Sequence, residues 1–104
     1  MASSLGKFLI YAPASSARRE RLDVVGRAVS RVAERLGLEI EISKTSRVPS
    51  PYVFYLKRDM EDVPVYCDFG KDWDEDRVYN SIWSVVYALS FLPEFSILQS
   101  VRRR

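Results

Sequence analysis

Histidine is absent from the sequence, and cysteine occurs once, as Cys67. The first absence removes the commonest general base, the commonest metal ligand and every histidine-dependent triad. The second excludes an internal disulfide and any multi-cysteine metal site. Side-chain amides are almost missing: Asn80 and Gln99 are the only two, and arginine outnumbers lysine twelve to four. The scarcity of thermolabile amides points to a thermophile, although a GC-rich genome also gives the arginine bias. No apolar run reaches the roughly 18–20 residues of a membrane span, and Met1–Lys7 lacks the form of a signal peptide. A cytoplasmic protein with no membrane partner is therefore expected. No set of residues resembles a nucleophile with its base and oxyanion site, so the chain is expected not to be an enzyme and to carry no cofactor.

What is present is material for one core. The 104 residues are 47% hydrophobic, 29% charged and 12% aromatic, which is too apolar for a disordered chain and too short for two domains. The net charge of +2 hides an uneven distribution. Residues 1–58 carry eleven Lys and Arg against five acids, residues 59–94 carry nine acids against Lys71 and Arg77, and the last ten residues add Arg102, Arg103 and Arg104. Such asymmetry fits contact with a polyanion or head-to-tail association; a mixed, solvated surface is the plain alternative.

Pattern and punctuation predict the order β-α-β-β-β-α. Lys7–Ala12 has the apolar, aromatic make-up of a strand and is stopped by Pro13. Ser15 or Ser16 offers an N-cap for a helix to about Leu36, with Leu22, Val25, Val29, Val32 and Leu36 at helical spacing. Gly26 inside that helix suggests close packing nearby, and Gly37 suits its C-terminus. Leu38–Thr45 alternates as a half-buried strand. Tyr52–Arg58 and Val63–Phe69 form a hairpin, its second strand demoted to a sheet edge by Pro64. Asp72 or Asp74 caps a second helix over roughly Glu75–Leu92. The fold class is α+β: a two-layer sandwich with a four-stranded, mostly antiparallel sheet and both helices on one face. Residues 1–93 make a single α/β domain, and residues 94–104 a short amphipathic segment with an arginine tail.

Alternation divides the strands into two sets. Phe8, Ile10, Ala12, Ile40, Ile42, Phe54, Leu56, Val65, Cys67 and Phe69 are uniformly apolar and belong under the helices, which makes Cys67 an inert buried thiol. Lys7, Leu9, Tyr11, Glu41, Ser43, Val53, Tyr55, Lys57, Tyr66 and Asp68 make the opposite face. Three tyrosines beside cations suit a single-strand platform, where bases stack on rings and cations hold phosphates. The alternative is a covered face, closed by the C-terminal segment or a second subunit. Arg18, Arg19 and Arg21 oppose the first helix's macrodipole and gain nothing for it, which favours phosphate contact. Arg47, Lys57 and Arg58 extend the same patch. Arg27, Arg31 and Arg35 form an i, i+4, i+8 ridge that either touches phosphates or is a solvated face with Asp23 and Glu34. Trp73 either covers the core's edge or stacks at a cleft mouth. The acids at Asp72, Asp74, Glu75 and Asp76 suit a helix start better than a metal site.

The second helix is apolar nearly all round, and Phe95, Ile97, Leu98 and Val101 add to the excess. Self-association through this C-terminal region, as a homodimer or higher homo-oligomer, would hide it. The rival is a final segment folded back across the tyrosine face.

The aromatic strands and the run from Asp72 to Trp83 (D-W-D-E-D-R-V-Y-N-S-I-W) resemble ThermoDBP-related proteins, an archaeal family that binds single-stranded nucleic acid. The likeness covers most of the chain in outline. It implies binding of single-stranded DNA or RNA in an apolar cleft flanked by basic patches, with self-association through helices. Tyr11, Tyr55, Tyr66 and Trp73 are then the candidate cleft residues, with Arg18, Arg19, Arg21, Arg47 and Lys57 as phosphate contacts. The competing expectation is a small assembly subunit whose aromatic face and apolar helix bind proteins.

Overall fold

The computed structural model describes residues 6–14, 19–56 and 62–92. The elements are β1 (Lys7–Pro13), α1 (Arg19–Leu36), β2 (Glu39–Thr45), β3 (Tyr52–Leu56), β4 (Val63–Cys67) and α2 (Glu75–Leu89). They form the α+β arrangement that the pattern predicts. The sheet order is β2-β1-β3-β4, with β1 parallel to β2 and the other two pairings antiparallel. Pro64 lies on an edge strand, where its missing N–H breaks no inner ladder.

The helix stripe of α1 buries Val25, Ala28, Val29, Val32, Ala33 and Leu36 against Phe8 and Ile10 of β1 and Val53 and Tyr55 of β3. Gly37 ends α1 with φ +70°, and the Leu38 N–H donates to the Ala33 carbonyl at 2.9 Å, the six-to-one closure of a helix end. Asp74 caps α2 by accepting from the Arg77 N–H at 2.9 Å. The acids of that segment thus serve the helix start, and Glu75 and Asp76 also face α1. There Arg27 pairs with Glu75 at 2.9 Å, and Arg31 with Glu75 at 3.2 Å and Asp76 at 2.8 Å. The Arg31 and Arg35 guanidinium groups each lie 4.1 Å from a ring centroid, of Tyr79 and Trp83 respectively. The arginine ridge therefore joins the two helices, and its partners are on α2 rather than at Asp23 and Glu34. Exposed pairs of this kind each contribute about 0–1 kcal/mol.

The start of β1 is tied to β3 by a backbone approach that only glycine permits. A Cβ at Gly6, where φ is +102°, would lie 2.3 Å from the Leu56 carbonyl oxygen. Gly6→Ala is expected to lower stability by about 1–3 kcal/mol. The check is the urea midpoint at constant m-value; an unmoved midpoint would show that β1 is not held there.

Two local expectations are corrected. Gly26 has no close neighbour: a Cβ there meets nothing within 4 Å, and it opens onto a shallow groove with Leu22, Ile40 and Ile42. Ile42, expected in the core, is 53% exposed because β2 is an edge strand that α1 only partly covers. Tyr87, Phe91 and Leu92 leave an apolar patch exposed at the end of α2. The segment expected to mediate self-association, 94–104, lies outside the described residues. Among the described residues no helix is long and apolar enough to cross a membrane.

Candidate nucleic-acid interface

Register decides which rings lie on the sheet face that the two helices leave open. β1 and β2 divide as their alternation predicts, with Phe8, Ile10 and Ala12 buried under the helices. β3 is inverted. Its pairing to β1 sets Phe8 against Tyr55, Ile10 against Val53, Leu9 against Phe54 and Tyr11 against Tyr52. Val53 and Tyr55 therefore enter the core, while Tyr52, Phe54 and Leu56 join Leu9 and Tyr11 on the open face. All five β3 residues are apolar or aromatic, so the strand carries no polar signal for its own orientation, and a one-residue slip reverses every side chain.

The β4 assignment fails for a different reason. Tyr66 and Asp68 are buried, whereas Phe69 is 64% exposed. Cys67, half-buried, lies opposite Tyr52 and so on the open face, not in the core. The β3–β4 pairing shifts register between Val53 and Phe54, so Val65 and Tyr66 both enter the core, and Asp68 follows them, held by Arg21, itself buried. Its guanidinium grips Asp68 through two bonds of 2.8 Å and donates a third, of 2.7 Å, to the Trp73 carbonyl. The Tyr66 hydroxyl donates to the same carboxylate at 2.5 Å. Burial, with the Asp68 carboxylate beside it, pushes the Tyr66 hydroxyl well above the usual phenol range. The bond to Asp68 likewise raises Arg21, so this charge is fixed in the fold. A sequence reading that sends polar residues outward could not see a partner supplied by α1.

The proposed site residues therefore scatter. Tyr11 and Arg47 line one concave corner of the open face. Arg19 is exposed on the first turn of α1. Arg21, Tyr55 and Tyr66 are interior groups and offer no surface to a ligand. Trp73 packs against the core, 6.2 Å from Tyr66, with the Arg77 guanidinium 4.4 Å from its centroid. Arg18 and Lys57 lie outside the described residues.

Burial alone pushes the Tyr55 hydroxyl up to about 12. The unfolded phenol titrates near 10, so the fold favours the neutral form. Stability is then full below about pH 10 and declines as pH rises through 10 to 12, by on the order of 2–3 kcal/mol from this residue. Urea unfolding across that range checks it; a flat profile would mean that Tyr55 is accessible to water.

The concave corner lies at the Arg47 end of the open face. It encloses about 550 Å³ and is lined by Tyr11, Tyr52 and Phe54, by Ser43, Thr45 and Val48, and by Lys44 and Arg47. Tyr52 and Phe54 stack at 4.8 Å with 15° between planes, and Tyr11 meets Phe54 at 5.5 Å and 87°. Arg47 is exposed just past β2, and Lys44, whose register partner Ala12 lies under the helices, lines the corner from the sheet's edge strand; neither side chain has a carboxylate partner among the described residues. The helical layer differs: Arg27 and Arg31 are engaged by acids, and Arg35 by Tyr79 and Trp83. Tyr52, Phe54 and Lys44 were missed in sequence; the signal available was the second ring pair on β3, which the inverted face assignment hid. No protein-family model, curated protein or solved structure matches the chain.

Proposed function

We propose that the protein is a sequence-tolerant binder of single-stranded nucleic acid and that the Tyr11–Tyr52–Phe54 corner is its site. The observation that carries the reading is the coincidence of a half-buried three-ring cluster with two cations that no acid among the described residues neutralises. Rings accept any base by stacking, which contributes about 1–3 kcal/mol per base, and cations hold phosphates by releasing counterions. A duplex hides its base faces and gains only the second term. The same reading is what the likeness to ThermoDBP-related proteins implies.

Titration of a labelled single strand at several salt concentrations tests it. Lys44→Ala/Arg47→Ala is expected to weaken binding and to flatten the log–log salt slope by about 1.4, since each phosphate contact on a single strand accounts for about 0.7. An unchanged slope would place the phosphates elsewhere, and no binding at low salt would remove the proposal.

The exposed Tyr87, Phe91 and Leu92 favour a second reading, an assembly subunit that associates through the end of α2. Light scattering on the full chain tests it: a monomer at micromolar concentration rejects association with its own kind.

A further inference from the structure

The two edges of the sheet are unlike, and we infer that the outer edge of β2 is a self-complementary docking surface, on which a second copy of this chain pairs antiparallel about a two-fold axis at Ile42. The β4 edge carries Pro64, and its pairing with β3 is broken by a register shift. Both features blunt an edge against further pairing. β2 has neither. It is seven residues long, holds no proline or glycine, and follows β1 in unbroken register. No described strand pairs with its other side. The Ala14 N–H donates to the Thr45 carbonyl at 3.0 Å, so the backbone groups of Thr45 point toward β1. Alternation turns Ser43 and Glu41 the same way. It directs the N–H and C=O groups of Ile40, Ile42 and Lys44 outward, where they form a template for another strand.

Position, apolar surface and charge select a second copy as the occupant. Ile42 is the middle residue of β2, so full overlap of two antiparallel copies centres on it. Every outward residue then meets an outward residue: Ile42 faces the partner's Ile42, and Ile40 faces the partner's Lys44. Ile42 has the helix-side parity of its register partner Ile10, yet it is 53% exposed beside the shallow groove of Leu22, Gly26 and Ile40. Pairing sets two such isoleucines against each other on the axis, which hides this surface in both copies at once. Lys44, on the same face, lays its aliphatic stem along the partner's Ile40. Charge sets the direction. β2 opens with Glu39 and Glu41 and closes with Lys44, and Arg47 follows it. An antiparallel partner lays its basic end along this acidic start, whereas a parallel one lays like on like. Glu41 bonds Lys7 but keeps a half-exposed side chain, which lies opposite the partner's Ser43. The same pairing brings the partner's Glu39 and Glu41 to the rim of the aromatic corner, so self-pairing and single-strand binding oppose each other there. The pairing itself does not rest on the single-strand reading.

Sedimentation of the full chain, without nucleic acid, tests the pairing. A dimer is expected at micromolar concentration. Ile42→Lys brings two like charges together on the axis and removes the isoleucine contact, so it should weaken association by about 100-fold with the circular dichroism spectrum unchanged. A second variant locates the axis. Cys67→Ser/Ile42→Cys leaves one thiol per copy, and residues opposite each other in a hydrogen-bonded antiparallel pair have Cα atoms about 5.5 Å apart, within reach of a disulfide. Mild oxidation should convert this dimer to a covalent one. A monomeric parent overturns the proposal, whether the edge is bare or covered by the chain's own residues. A dimer that survives Ile42→Lys, or one that stays uncrosslinked with Ile42→Cys, overturns it as well and moves the association to another surface.

Discussion

Arg21→Ala is expected to lower stability by about 3–5 kcal/mol. The loss is not that of one contact. Removing the guanidinium leaves the Asp68 carboxylate fully buried with only the Tyr66 hydroxyl to stabilise it, and frees the Trp73 carbonyl. An uncompensated buried charge is what makes breaking such a pair so destabilising. A domain has roughly 5–15 kcal/mol in total, so the variant should populate the unfolded state measurably at room temperature. Arg21→Lys should recover little, because an ammonium cannot make the two-pronged grip and reach the carbonyl as well. Arg21→Met with Asp68→Leu should be milder than either half, since no charge is left stranded. Urea unfolding measures all of these. A loss under about 1 kcal/mol for Arg21→Ala would show that water reaches Asp68.

Tyr11→Ala/Tyr52→Ala is expected to weaken single-strand binding by about 100-fold while the sheet persists. Each ring contributes roughly 1–3 kcal/mol of stacking, and both are half-buried rather than core groups. Tyr55→Ala should behave in the opposite way. That ring is wholly buried and packs edge-on at 6.0 Å to Phe8, so its removal costs about 3–5 kcal/mol of stability. Circular dichroism and a titration on the same samples separate the two cases. Equal binding by the double variant and the parent would clear the corner of any role.

The contrast between Tyr52 and Tyr55 shows what the sequence could and could not disclose. The six elements, the helix ends at Gly37 and Asp74, and the edge position of Pro64 rest on local rules, and those rules held. The face of β3 does not rest on a local rule. Tyr-Val-Phe-Tyr-Leu is apolar at both parities, so only its pairing with β1 decides which rings are buried. The inward turn of Tyr66 and Asp68 follows a register shift in the β3–β4 pairing and a buried partner, Arg21, far away in the chain, and no periodicity records either. Of the candidate site residues, Tyr11 and Arg47 are within reach of a sequence reading because Lys7 marks the outer parity of β1 and Arg47 follows a strand end. Tyr52 and Phe54 were not, because the same error that placed Tyr55 outside placed Phe54 inside. The basic residues near α1 divide likewise: one of them, Arg21, is the keystone of the interior and not a phosphate contact.

The most direct measurement is amide and aromatic chemical-shift mapping of the folded chain with a short single-stranded oligonucleotide. The account predicts shifts concentrated at Tyr11, at Ser43 to Arg47, and at Tyr52 and Phe54, with the helical layer silent. Shifts centred instead on Arg27, Arg31 and Arg35 of α1, or on Tyr87, Phe91 and Leu92 at the end of α2, with the aromatic corner unmoved, would contradict it.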